Sequence, residues 1–178
     1  GSNDQIVSLW DRLLAEGKIF GIEPIGLGAR DTLRLEMGFA LYGHELNDGI
    51  RPIESVSHWT VKLNQHDFLG KEFQGEKRHT QYGAVLLDKG IAREGYLVFQ
   101  QGVQIGRVTS GTFSPTLQKA VAIIQSNKPL SIGESIEVQI RGKACAAEVV
   151  KLPFLPPEVL WNTPSRTNGL ELKAMRPL

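Results

Sequence analysis

Residues 83–152 break into short apolar segments separated by turn signals, and no other feature of the chain constrains its fold as tightly. GAVLLD (83–88) is an apolar run. Tyr96–Gln100 and Val103–Thr109 flank Gln101-Gly102 and read as a hairpin. Lys119–Ile124, Ser135–Ile140 and Ala144–Leu152 follow as further strands, with a break at Ser114-Pro115-Thr116 and a tight turn at Arg141-Gly142-Lys143. Strands of this length and spacing make a small barrel or a sandwich. Cys145 falls in the last of them. No His or second Cys accompanies it, so it reads as a small buried side chain rather than a reactive thiol.

The first half has a different character. In DQIVSLWDRLLAE (4–16), Ile6, Leu9, Trp10, Leu13 and Leu14 recur at helical spacing, and Gly17 is placed to end the helix. Gly1-Ser2 looks like a cloning remnant. Ile19–Ile25 is a strand or an extended link. Residues 47–58 are rich in turn formers, Trp59–Leu63 reads as a strand, and Asp67 is placed to cap a weak helix over FLGKEFQGEKR. The segment after Pro156-Pro157 has no sustained period and reads as a tail.

Composition excludes several functions. A formal net charge of +1 with interspersed Lys and Arg argues against a nucleic-acid surface. No apolar run approaches the roughly 20 residues of a membrane span, and the start lacks a signal-peptide pattern. A single cysteine fits a reducing compartment. His44, His58, His66 and His79 lack metal-ligand spacing, and no serine sits in an elbow motif, so the visible catalytic inventory is thin.

The stretch GLGARDTLRLEMGFALYGHEL (26–46) carries the most chemistry. With Gly28 as the residue before a helix, Asp31 takes the third helical position. On a helical wheel Leu33, Met37, Ala40 and Leu41 share one face, Arg30 and Arg34 border it, and Leu35 points elsewhere. An arginine on such a border either snorkels or pairs with a nearby carboxylate such as Glu23 or Glu36, or holds an acidic ligand. Gly26-Leu27-Gly28 alone is too short a signal for phosphate binding.

This stretch closely resembles a signature of the glycine cleavage system T-protein, the tetrahydrofolate-dependent aminomethyltransferase. DGIRPIESVSHWTVKL (48–63), DFLGKEF (67–73), GYLVFQQGVQIGRVTSGTFSPTLQKAVAI (95–123) and KLPF (151–154) resemble further family segments in the same order. The likeness covers residues 4–155 and only the C-terminal half of a T-protein. It implies an α+β fold: a partial α/β folate-binding domain (4–65), a connecting helix (66–79) and a C-terminal antiparallel β-barrel (80–155), followed by the tail (156–178). In the family these belong to three domains around a central folate opening.

The resemblance further implies a reaction of one-carbon metabolism and glycine catabolism. A methylene group passes from the aminomethyl-lipoyl arm of the H-protein to tetrahydrofolate, and ammonia is released. The family's catalytic aspartate and its pterin-associated glutamate belong to the N-terminal half. No catalytic residue is therefore expected in this chain, which on its own should transfer little or nothing. The arginine of G-L-G-A-R falls on Arg30, where the family holds folate, and Tyr42 and Trp59 match family motifs as candidate folate contacts. Arg34 is then structural. The family tyrosine after K-x-P-F has no match, and Trp161 is the available substitute. Expected partners are folate, the H-protein lipoyl arm, and either the missing half or a second copy, with no nucleic acid or membrane. The expected location is the cytoplasm, or the mitochondrial matrix in a eukaryote. The alternatives are a folate-binding module of a dimethylglycine- or sarcosine-oxidising enzyme, and a non-catalytic interaction domain.

Overall fold

The computed structural model describes residues 2–65 and 67–155. The expectations for His66, for Trp161 and for a tail over 156–178 lie outside these residues. Helix α1 spans Asn3–Gly17. Its cap is Ser2, so this residue, read from sequence as a cloning remnant, has a structural part. The Gln5 amide donates to its hydroxyl, and its own amide donates to Gln5 Oε1 at 2.9 Å, forming a capping box. The apolar stripe is present, yet no residue of α1 is buried. The link after it is a single 3-10 turn, Lys18–Phe20, followed by extended chain rather than a strand.

Helix α2 spans Leu27–Glu36 and is capped by Gly26, two residues earlier than Gly28. It stops at Gly38, whose φ of 65° gives the left-handed turn that a side chain would resist. The amides of Gly38 and Phe39 return to the carbonyls of Leu35 and Arg34, closing a Schellman motif. Ala40 and Leu41 are therefore not helical, which corrects the wheel. Leu35 and Glu36 are the buried residues, and Leu33 is 61% exposed.

Before Thr80 the described residues contain no strand, only an isolated bridge between Tyr42 and Leu46. WTVKL (59–63) is not a strand: a 3-10 turn occupies His58–Thr60. The helix expected over 66–79 is likewise one 3-10 turn, Lys71–Phe73. Gly70 and Gly75, both at positive φ, bracket it and break any longer run.

The β half matches its pattern. Strands β1 (Thr80–Leu86), β2 (Leu97–Gln100), β3 (Val103–Ser114), β4 (Lys119–Ser126), β5 (Ser135–Ile140) and β6 (Lys143–Val150) close into an antiparallel barrel in the order β1-β4-β3-β2-β5-β6. Turns at Gln101-Gly102 and Arg141-Gly142 place all four residues at positive φ. The interior holds Val98, Ile105, Val108, Ile124, Val138 and Val149 among others. Cys145 is buried, as expected of a small apolar side chain.

Strand β4 is buried on both faces. Ala120, Ala122 and Ile124 point into the barrel, while Val121 and Ile123 point out and pack with Leu35 of α2 and Val56. A second core thus joins α2 to the outside of the barrel. Leu152 and Phe154 complete it.

Candidate functional site

Arg30 and Arg34 lie one turn apart on α2 and have opposite fates. Arg34 has a side chain only 10% exposed. Its Nε donates to Asp31 Oδ1 at 2.8 Å, Nη1 to Glu45 Oε2 at 2.8 Å, and Nη2 to Ser110 Oγ at 2.8 Å. Nη1 also reaches the Phe39 carbonyl at 3.2 Å. Its carboxylate partners are thus Asp31 and Glu45, not Glu23 or Glu36. Glu45 is fully buried; its Oε2 also accepts from the Leu41 amide, and its Oε1 has no hydrogen-bond partner among the described residues. Arg30, by contrast, is exposed, and its side chain makes no hydrogen bond or ion pair among the described residues.

Glu36 faces the barrel. The hydroxyl of Ser114 donates to its Oε1, and the amide and hydroxyl of Thr116 reach its two oxygens at 3.3 and 3.2 Å. Its backbone carbonyl accepts the amides of Phe154 and Leu155 at 3.0 and 3.2 Å. The α2 signature, the TSGTFSPT run (109–116) at the end of β3 and into the turn after it, and the KLPF segment therefore meet at one place. Sequence reasoning offered Glu36 only as a possible arginine partner and did not assign Glu45, Ser110, Ser114 or Thr116. The available signal was three hydroxyls at alternate positions 110, 112 and 114 of a strand, which put one polar stripe on one face.

Tyr42 is 71% exposed, and its hydroxyl donates to Asp48 Oδ1 at 2.9 Å. That hydrogen bond, with the charge of Asp48 beside it, raises the phenol pKa. Trp59 is 64% exposed on its 3-10 turn rather than buried on a strand. Arg30, Tyr42 and Trp59 are all exposed and share no hydrogen bond. None of them lines the groove of about 550 Å³ between Asn47–Ile50 and the barrel, where His79, Gln104, Arg107 and Asn127 lie. His44 binds the Thr109 carbonyl through Nδ1 at 3.0 Å and stands 3.4 Å from Glu94, and His58 Nδ1 binds the Ser55 carbonyl. A carbonyl only accepts, so each of these Nδ1 atoms carries the proton. Among the described residues no group of three His, Cys, Asp or Glu side chains could hold a metal, and no helix is long and apolar enough to cross a membrane.

A third buried carboxylate, Glu54, ties the segment before the barrel to its entrance. Arg51 and Arg78 both donate to it, as do their backbone amides. Burial works against its charge, but the hydrogen bonds from Arg78 and Arg51 overcome that and hold the carboxyl well below the usual range.

Two family models match this chain. The glycine cleavage T-protein C-terminal barrel domain matches residues 81–155, and the GCVT N-terminal domain matches residues 1–65. Among curated relatives, an aminomethyltransferase of Desulforamulus reducens is 42% identical over 157 residues, covering 85% of this chain and 43% of that protein. An aminomethyltransferase of Thermosipho melanesiensis is 45% identical over 157 residues, covering 85% and 42%. The crystal structure of the glycine cleavage system aminomethyltransferase T from Bartonella henselae superposes with a TM-score of 0.71 at 30% identity, over 83% of this chain and 43% of that one. The chain therefore spans less than half the length of the relatives it matches.

Proposed function

Because the chain belongs to the glycine cleavage T-protein family, we propose that it supplies one side of the folate seat of an aminomethyltransferase. In the proposed reaction the C–S and C–N bonds of the aminomethyl-lipoyl arm of the H-protein break, the methylene carbon becomes bonded to two nitrogens of tetrahydrofolate in place of their hydrogens, and those two hydrogens leave on the amino group, as ammonia, and on the lipoyl sulfur, as a thiol. The supporting observation is Arg30: an exposed guanidinium without a partner among the described residues, next to an arginine whose donors are committed. A planar fork of free N–H donors suits the glutamate carboxylate of folate. Tyr42 and Trp59 are proposed as flanking contacts. No carboxylate of this chain is assigned to catalysis, so the chain by itself binds and does not transfer.

Helix α1 supports a proposal about packing. Ile6, Leu9, Trp10 and Leu13 are each at least 50% exposed, which leaves a full amphipathic face uncovered. The relatives are about twice as long as this chain, and we propose that the rest of their N-terminal domain covers this face.

Calorimetric titration of the 178-residue chain with tetrahydrofolate tests the folate reading. Arg30→Ala is expected to weaken binding by about tenfold or more, the loss of a charge-assisted hydrogen bond. Equal binding by both proteins would remove Arg30 from the seat.

A further inference from the structure

Arg34 and Glu36 hold more than a helix end, and we propose that they are positioning residues that fix the roll and depth of α2 on the barrel, and thereby the place of Arg30. This rests on the folate reading of Arg30.

The contacts converge from several parts of the chain. Arg34 joins α2 through Asp31, the segment after it through the Phe39 carbonyl and Glu45, and strand β3 through Ser110. Glu36 joins the end of β3 through Ser114, the β3–β4 turn through Thr116, and residues 154–155 through its carbonyl. The barrel side of this lock depends on a bulge. Val108 pairs with Ile124, both inside the barrel; without interruption Ser110 would also point inward, two residues on. The register shift between Val108 and Ser110 inserts Thr109 and pairs Ser110 with the outward-facing Ile123. Ser110 and Ser114 then share the outer face with Val121 and Ile123, where α2 lies.

Apolar contacts alone would hold α2 against β4. Leu35 does so, and replacing a buried ion pair by apolar residues commonly costs little stability. What the fork of Arg34 and the carboxylate of Glu36 add is direction. Arg30 lies four residues before Arg34, on the same side of the helix. A roll of α2 by about 20° displaces a side-chain head by about 2–3 Å, enough to break a bidentate contact with a carboxylate.

The test perturbs the lock from the barrel side and leaves α2 untouched. Ser110→Ala with Thr116→Val removes two of its hydroxyls; Ser110→Thr with Thr116→Ser keeps both. In the wild-type chain and both double variants, tetrahydrofolate affinity is measured by calorimetry and amide hydrogen exchange is followed across α2 and β4. The expected result is exchange at least about tenfold faster in α2 with β4 unchanged, and affinity about five- to tenfold weaker, both restored by the hydroxyl-keeping variant. Faster exchange with unchanged affinity makes the lock merely structural and overturns the proposal. Unchanged exchange in α2 overturns it as well. If the wild-type chain does not bind tetrahydrofolate, the folate reading fails and exchange alone decides: acceleration confined to α2 supports the lock, and its absence overturns it.

Discussion

Glu36, Glu45 and Glu54 are each 2% exposed or less, and every one sits where two segments of the chain meet. A buried carboxylate is expensive unless its oxygens are satisfied, so such residues mark places where the fold supplies donors from more than one direction. Glu54 gives the clearest consequence. Its folded pKa is depressed below the ordinary 4.5. A depressed carboxylate contributes stability that is complete above the unfolded value and is lost as pH falls toward the folded one. Urea unfolding followed from pH 7 down to pH 3 should therefore show stability declining below about pH 4.5. Glu54→Gln should begin lower, by about 2 kcal/mol, and decline less steeply. Parallel pH profiles for the two proteins would remove Glu54 from this account. The sequence displays Glu54 three residues after Arg51, a local pairing that can be read directly. Its bonds to Arg78 cross 24 residues and have no local sign. The same holds for Arg34: that it borders an apolar face is visible on a wheel, but Ser110 lies 76 residues away.

At the scale of elements, α1 has the periodicity of a packed helix without the packing. Nothing of it is buried, so Leu9→Ser with Leu13→Ser should leave the unfolding midpoint nearly unchanged, within about 0.5 kcal/mol. The same pair should abolish the concentration-dependent association expected of the isolated chain, as read by sedimentation velocity. A chain that sediments as a monomer at every concentration would mean that the face does not associate. Amphipathic spacing thus reveals that a helix has an apolar side and is silent on what covers it. Five of the six strands were legible as strands, and β1 as an apolar run, because apolar patterning and turn glycines are local signals. WTVKL (59–63) carries the same propensities and is no strand. The barrel is closed and offers no edge for it to join, and propensity without a partner strand does not make a sheet. The two helical residues that matter most, Leu35 and Glu36, escaped the wheel because extending the helix past Gly38 tilted the apparent apolar face toward Ala40 and Leu41.

The whole molecule is held by unequal attachments. Helix α2 shares a core with β4 and is hydrogen-bonded to β3, to the β3–β4 turn and to residues 154–155. It should unfold together with the barrel, while α1, without buried contacts, should melt first. In a denaturant titration, hydrogen exchange or a helix-sensitive dichroism signal should lose the α1 contribution at a lower midpoint than the barrel; coincident loss of α1 and β4 would contradict this. The bonds from Phe154 and Leu155 to the carbonyl of Glu36 have one more consequence, which concerns time. On a ribosome α2 emerges long before these two residues are made. At ordinary rates of synthesis the interval is on the order of ten seconds. Through that interval the C-terminal end of α2 is missing its last bonding partners, and its apolar side has no finished barrel to lie on. The first residues of the site are the last to be set in place, and their final seating waits for the chain's own synthesis to pass residue 155.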